Sequence, residues 1–540
     1  MLDERIALLE AGIAADRQRS AAVLSSCATW PAVRDVLLWV AAEKPPTLVY
    51  GDYDADGVIS SFLLQRWLRS RGVPGNVFLP SRFRHGYGLS EATVKQALDH
   101  GYRALLVLDC GTANHAEVEM ALAGGLQVAI IDHHEPKAAL PAAPLLNPHL
   151  ETALPPRCTA GLVYDVLSAL YAAGTGEPYP DEVELAGLAT LADVVPLQPR
   201  NWLLAHESLS LIPETPNLGL AELTKVSGLH GLTRLTSQQL NYQLIPRLNA
   251  VGRLRSPKLA YDLLAADSRE TAANLARQVD GLNQERKLVA DQVTRQALLQ
   301  ALEHEDEPAL ALYDPDWSIG VLGLVAARVA EQLGKATVVF TDAPVGEGLL
   351  SGSVRTVSGV DVVQALKQCG DTLQSYGGHA QAAGVKVQSE RLDDFRRAWA
   401  AAVAQASGVP LPAEPEAPPE VQLHELTAQF EEDIWRLAPF GPGYPAPRCV
   451  IGGVQVARVG YMGRDKLHVN LLISDGVREA RLAGFNLSHL VERLHVGLPV
   501  SPSIEIDADN WNNRLTIVLR LLGIADSHGA QGARNQSRGR

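Results

Sequence analysis

Apolar and polar positions along the chain fall into three regimes. Between residues 46 and 135, short apolar runs alternate with amphipathic stretches, the order that builds a mostly parallel sheet with helices on both faces. TLVY (47–50), ALLVL (104–108) and QVAII (127–131) predict three strands, each followed at once or within two residues by an aspartate. From 268 to 303, Leu275, Val279, Leu282, Val289 and Val293 recur at near-heptad spacing. This predicts a long helix joining two lobes, with Asp267 and Glu270 placed like a capping box. A second α/β lobe follows, with strands near 308–313, 336–340 and 349–354, a helix over 320–333 and another after Asp361. LPAEPEAPPE (411–420) has the Pro and Glu content of an extended, solvated linker. Beyond it, five runs near 449–458, 467–473, 478–486, 502–508 and 514–522 suit a small Greek-key barrel such as an OB-fold.

The expected fold is therefore α/β, with a mostly parallel sheet domain, a long connecting helix, a second α/β domain and an all-β barrel. The expected boundaries are 1–215, a helical connector at 216–305, 306–410, the linker 411–420, the barrel 421–525 and a polar, disordered tail at 526–540. A length of 540 residues favours several domains over one core. With 46% hydrophobic and 20% charged residues, the chain is neither a disordered nor a fibrous protein. No stretch predicts a membrane span, since the strongest apolar run, Ile319 to Ala327, is too short. The N-terminus lacks the basic-then-apolar order of a secretion signal. Five scattered cysteines with no CxxC pair argue against a disulfide framework or a zinc knuckle, and a reducing cytoplasm is the expected location.

Lys plus Arg is 47 and Asp plus Glu is 61, a net charge of 47 − 61 = −14, so a phosphate-bearing partner requires a local basic patch. Two stretches qualify. Arg66, Arg69, Arg71, Arg82 and Arg84 lie between Ser61 and Ser90, and Arg247, Arg253, Arg255 and Lys258 lie between Ile245 and Lys258, with no acidic residue in either stretch. Each reads equally as a solvated basic face.

Ligands of open α/β sheets sit beyond the carboxyl ends of the strands. There the chain delivers Asp52, Asp54 and Asp56 in GDYDADG, Asp109, and Asp132 with His133 and His134. Any one of these aspartates could be a turn or cap residue. Together their charges demand a cation. Carboxylates mixed with imidazoles suit Mn²⁺, with Mg²⁺ at oxygen-rich positions, and the absence of cysteine argues against structural zinc.

GDYDADG (51–57), LDCGT (108–112), IDHHEP (131–136) and LADVVPL (191–197) resemble the four ordered motifs of the DHH phosphoesterase superfamily. SRFRHGYGLS (81–90), YQLIPRLNAVGR (242–253), WSIGVLGLVAAR (317–328), SGSVR (351–355), YGGHAQAAG (376–384) and PFGPGYP (439–445) are similar, in the same order, to segments of the RecJ single-strand exonucleases. The resemblance implies that the metal-binding domain is DHH and the second lobe DHHA1. It also implies that Asp54, Asp56, Asp109, His133 and Asp193 hold two Mn²⁺ or Mg²⁺ ions, with Asp109 between them, Asp52 in support and His134 nearer the scissile phosphate. Arg82, Arg253, Ser353, Arg355 and His379 are then the substrate-binding residues, forming a pocket for a 5′ end. The implied activity is 5′-to-3′ hydrolysis of single-stranded DNA to mononucleotides in recombination and repair. Single-strand-binding protein and a helicase are the implied partners. Rival readings are a DHH phosphodiesterase of short oligonucleotides and a replication scaffold without activity. Ser318, Tyr444 and His85 depart from the residues usual in the family. In the barrel, Phe485 and Trp511 are candidates for base stacking or plain filler.

Overall fold

The computed structural model describes residues 2–81, 88–136, 139–175, 182–344, 346–356, 359–406, 418–463, 466–511 and 513–525. The apolar runs of the first regime become strands because both of their faces are covered. After α1 (Leu2–Ser25) and α2 (Trp30–Glu43) come β1 (Thr47–Tyr50), α3 (Ala55–Ser70), β2 (Gly75–Phe78), α4 (Glu91–Asp99), β3 (Ala104–Leu108), α5 (His115–Ala123), β4 (Gln127–Ile131) and β5 (Leu145–Leu146). The five strands pair in parallel in the order β2-β1-β3-β4-β5. Val49, Leu106, Leu108, Ala129 and Ile131 face one core, while Leu48, Tyr50, Leu105, Val107, Val128 and Ile130 face the other, the period-two alternation of a strand. The three predicted strands are present. The pattern missed β2 and β5, which are too short and, in β2, too polar to stand out.

Helices α6 (Thr159–Thr175), α7 (Val183–Ala192), α8 (Pro199–Leu211), α9 (Leu218–Val226), the single turn α10 (Ser237–Gln239), α11 (Ile245–Leu254) and α12 (Lys258–Leu264) complete the first lobe. The long helix α13 (Arg269–Leu302) then leaves it. Its N-cap is Ser268, whose side chain accepts the Thr271 amide, which corrects the expectation that Asp267 and Glu270 form the cap. Ala276 and Val279 pack into the core of the first lobe, and Ala290, Val293, Ala297 and Ala301 pack into that of the second, so one helix is shared by two cores.

The second lobe contains β6 (Ala309–Tyr313), α14 (Leu322–Leu333), β7 (Ala336–Asp342), β8 (Leu349–Arg355), α15 (Val362–Cys369), β9 (Ser375–His379), β10 (Ala382–Gln388) and α16 (Leu392–Ala406). Its sheet runs β6-β7-β8-β10-β9, and only β6 and β7 are parallel. YGGHAQAAG, where Gly-Gly reads most simply as a turn, is instead most of a β9–β10 hairpin.

The third part contains β11 (Glu420–Val421), α17 (Ala428–Leu437), β12 (Arg448–Ile451), β13 (Val454–Met462), β14 (His468–Ser474), β15 (Glu479–Gly484), β16 (Pro499–Trp511) and β17 (Arg514–Ala525). The run predicted at 449–458 is two strands, split at Gly452-Gly453, where Gly453 takes φ +67°. β13, β14, β15, β17 and β16 close into a ring, because β16 pairs with both β13 and β17. The core of this barrel is continuous with that of the first lobe. The Trp202 indole donates to the Leu437 carbonyl at 3.0 Å, and the Asn510 amide donates to the Arg234 carbonyl at 2.5 Å.

Candidate metal centre

β1 delivers its aspartates through a loop held by neighbours distant in sequence. Asp54 is the N-cap of α3, and its Oδ1 accepts the amides of Asp56 at 3.0 Å and Gly57 at 3.1 Å. The Asn249 side chain accepts the Ala55 amide at 2.9 Å, and a Cβ on Gly252 would stand 2.2 Å from the Tyr53 carbonyl oxygen. The NAVGR segment on α11 therefore clamps the GDYDADG loop, and Gly252 permits the approach.

Asp56 lies in the first turn of α3, buried, with its two oxygens accepting the Thr159 amide at 2.7 Å and the Ala160 amide at 2.8 Å. These amides begin α6, whose positive end suits a carboxylate. Asp109 directly follows β3 with φ +60°, unusual for a residue other than glycine, and its Oδ1 accepts the Thr159 hydroxyl at 3.0 Å. His133 sits among them, with Nε2 at 3.4 Å from Asp109 and 3.9 Å from Asp56, and Nδ1 at 3.6 Å from Asp193. Asp193 ends α7. The next residue, Val194, has φ +58°, and three residues further on the Leu197 amide donates to Pro442 O in PFGPGYP at 2.7 Å.

Asp132 has a different task. Its Oδ1 accepts the amides of His133 (2.8 Å) and His134 (3.2 Å) and lies 2.8 Å from His134 Nδ1, while its Oδ2 accepts the Thr112 amide at 3.0 Å. Oδ1 is thus committed to orienting the histidine pair, and Oδ2 ties the carboxylate to the turn after β3. The Asn147 side chain donates to the Thr112 hydroxyl and to the His134 carbonyl, extending this support.

Three donor groups result, each able to bring its ligand atoms within 4.8 Å of one another: Asp52, Asp54 and Asp109; Asp109, His133 and His134; and Asp56, His133 and Asp193. Asp109 and His133 each belong to two groups. Burial, then repulsion from Asp54, pushes the Asp56 carboxyl up to about 7. Burial and the surrounding carboxylates hold Asp109 and Asp193 well above their ordinary range. Burial, then the charge of His134, draws His133 down to about 4, which keeps the imidazole neutral and able to act as a ligand. Burial alone would lower His134 and raise Asp132, but the hydrogen bond and attraction between them reverse both directions. Carboxylates that repel one another beside neutral imidazole form a donor set that fits divalent cations, and the cluster is chemically suited to Mn²⁺ or Mg²⁺.

Arg253, near the end of α11, donates to the Gly320 carbonyl at 3.5 Å, and a Cβ on Gly320 would stand 1.9 Å from Arg253 O, so the first lobe touches the start of the WSIGVLG segment. On β8, Arg355 Nη1 lies 3.2 Å from Ser353 Oγ. A Cβ on Gly323 would come within 3.0 Å of the same guanidinium. β10 pairs Ala382 with both Arg355 and His379, and Ser353 lies two positions along β8 from Arg355, so the three residues share one face of the second lobe's sheet. Arg82 and His85 lie outside the described residues. So does the side chain of Trp511. Phe485 is half exposed, edge-on to His468 at 5.2 Å. Thr159 and Asn147 carry no sequence signal beyond being polar at element starts and turns, whereas Thr112 and Asn249 lie inside the LDCGT and YQLIPRLNAVGR segments without their supporting roles being readable there.

Models of the DHH family N-terminal domain, the DHHA1 domain and the RecJ OB domain match residues 46–192, 306–405 and 419–522. The single-stranded-DNA-specific exonuclease RecJ of Dickeya dadantii is 34% identical over 76% of this chain and 76% of its own length. The chain belongs to the RecJ family. RecJ of Bacillus subtilis is 31% identical over 88% of the chain, which spans 60% of that relative's length. The crystal structure of Thermus thermophilus RecJ with Mn²⁺ matches with a TM-score of 0.76 at 27% identity, covering 92% of this chain and 72% of that one. The same protein with Mg²⁺ matches at 0.70 and 25%, covering 92% and 70%. Among the described residues, no helix is long and apolar enough to cross a membrane.

Proposed function

We propose that the chain is a metal-dependent exonuclease of single-stranded DNA that works from the 5′ end and releases 5′-mononucleotides. The observation that carries this reading is the buried cluster in which Asp109 and His133 are each shared between two donor groups at the carboxyl ends of three adjacent strands. Asp54, Asp56, Asp109, His133 and Asp193 would hold two Mn²⁺ or Mg²⁺ ions, with Asp52 and His134 in support. Bound ions of this kind activate a water and neutralise the phosphate during in-line displacement. The protein's part is placement. Thr159 and the start of α6 fix Asp56 and Asp109, and Asp132 fixes the two histidines. Arg253, Ser353, Arg355 and His379, with Arg82, would grip the terminal phosphate, and the closed barrel would carry the strand behind it. Work on single strands in recombination and repair, alongside single-strand-binding protein and a helicase in the cytoplasm, follows from the same reading.

The test is digestion of DNA labelled at the 5′ or 3′ end, single- or double-stranded, with Mn²⁺, Mg²⁺ or EDTA. The expected outcome is early release of a 5′-labelled mononucleotide from single strands with either metal and none with EDTA. Label released first from the 3′ end, or equal digestion of duplex, would overturn polarity or strand choice.

A further inference from the structure

The carboxyl edge of the first sheet has a second cavity that the metal cluster does not use. The metal residues that the sheet carries follow β1, β3 and β4, whereas β2 is the edge strand beside β1. A cleft of about 710 Å³ opens at the end of β2, within the range of roughly 300–1,000 Å³ usual for small-ligand sites. Val77, Leu79, Leu254 and Tyr261 give it apolar surface, and Arg69, Arg255 and Lys258 give it positive charge.

The basic residues here are not equivalent. Lys258 is neutralised by Asp262 at 2.6 Å, and Arg66, in the adjoining cleft, is paired with Glu182. Arg69 and Arg255 are exposed, and neither guanidinium has a hydrogen bond or ion pair among the described residues. No acidic residue occurs from Ser61 to Ser90, and among the described residues the one acidic group lining the cleft is Asp262, already held by Lys258. Two uncommitted guanidiniums beside apolar and aromatic surface form a site for a phosphate attached to a flat, apolar-faced group.

We propose that this cleft is a second nucleotide site, in which Arg69 and Arg255 hold the phosphate of a nucleoside monophosphate unit whose base lies against Val77, Leu79 and Tyr261. The inference rests on the reading that nucleotides are what this chain handles. The unit could be the released mononucleotide or a nucleotide of the strand itself, and the experiment separates the two sources.

The full chain in EDTA is titrated calorimetrically with dAMP and with deoxyadenosine, as wild type and as Arg69→Ala/Arg255→Ala. EDTA removes any metal-held phosphate, and Arg355→Ala, carried by both proteins in this arm, disables the proposed grip on a terminal phosphate, so the result depends neither on catalysis nor on that pocket. Both arginines are exposed, and an unchanged melting temperature checks that the variant is folded. In a second arm, hydrolysis of a 5′-phosphorylated oligonucleotide in Mn²⁺ is followed with and without added dAMP. If the product is the source, dAMP binds in EDTA at least about tenfold more tightly than deoxyadenosine, the variant loses that preference, and inhibition by dAMP disappears with it. If the strand is the source, the variant raises KM for the oligonucleotide while dAMP has no effect. Equal dAMP binding by the two proteins, or no binding together with an unchanged KM, overturns the site. A wild type that binds dAMP in EDTA but hydrolyses nothing would sink the exonuclease reading and leave the cleft standing.

Discussion

Thr159→Val should weaken metal binding while leaving the fold intact. The Thr159 hydroxyl donates to Asp109 Oδ1 at 3.0 Å in a fully buried setting, and the Thr159 main-chain amide separately serves Asp56. Valine matches threonine in shape, so the substitution deletes only the hydroxyl and keeps the amide, the helix start and the packing. A hydrogen bond to a charged group contributes about 1.5–3 kcal/mol. Removing a group that orients a metal ligand typically lowers metal affinity by about 10–100-fold. Because Asp109 belongs to two of the three donor groups, both ions should be affected. The assay is Mn²⁺ titration of the metal-free protein, followed by hydrolysis at saturating Mn²⁺. The expected result is a Kd raised by at least about tenfold, activity partly recovered at high Mn²⁺, and near-complete rescue by Thr159→Ser, which restores the hydroxyl. A Thr159→Val protein with wild-type Mn²⁺ affinity would refute the argument that Asp109 is positioned through this bond.

Gly252→Ala should disturb the site without touching a ligand, because its Cβ would press on the Tyr53 carbonyl at 2.2 Å; overpacking of this kind costs about 1–3 kcal/mol, and a lowered Tm with reduced Mn²⁺ affinity is expected in melting and titration. Arg355→Ala and Arg253→Ala should lower kcat/KM most for 5′-phosphorylated strands and least for 5′-hydroxyl strands, by about 1.5–3 kcal/mol on the former, with metal content unchanged in parallel measurements. In the metal-free protein the Asp56 carboxyl, raised from 3.8 to about 7, retains in the native state a proton that the unfolded chain has lost. Stability should therefore fall as pH rises between about 4 and 7, by on the order of 4 kcal/mol for this group alone, and melting in EDTA should show that slope while saturating Mn²⁺ flattens it.

The metal residues on strands were the most legible part of the sequence. Asp54, Asp56, Asp109 and His133 follow unbroken apolar runs whose strands are buried on both faces, so pattern and position agree. Asp193 ends a helix, and only the resemblance of LADVVPL pointed to it. The pattern alone could not separate Asp132 from the ligand aspartates, because their difference lies in its hydrogen bonds to Thr112 and His134, formed only once β4 and the β3–α5 turn lie side by side. The roles of Thr159 and Asn249 were invisible for the same reason, although Asn249 lies in a quoted motif, since each acts on a carboxylate or amide about 50 to 195 residues away. β9 was hidden because SYGGH is exposed throughout and rich in glycine, giving neither alternation nor an apolar run.

The PFGPGYP loop gives the barrel a second role. Leu197 donates its amide to Pro442 at 2.7 Å, while Gly441 and Gly443 lie against Leu197 and Pro196, so this loop buttresses the turn that carries Asp193. That turn includes Val194, a β-branched residue at φ +58°, a backbone state that costs of order 1–3 kcal/mol and persists only where its surroundings impose it. The barrel domain is therefore a brace as well as the proposed track: cutting it away would let the Asp193 turn relax, and the damage would reach even substrates too short to touch the barrel.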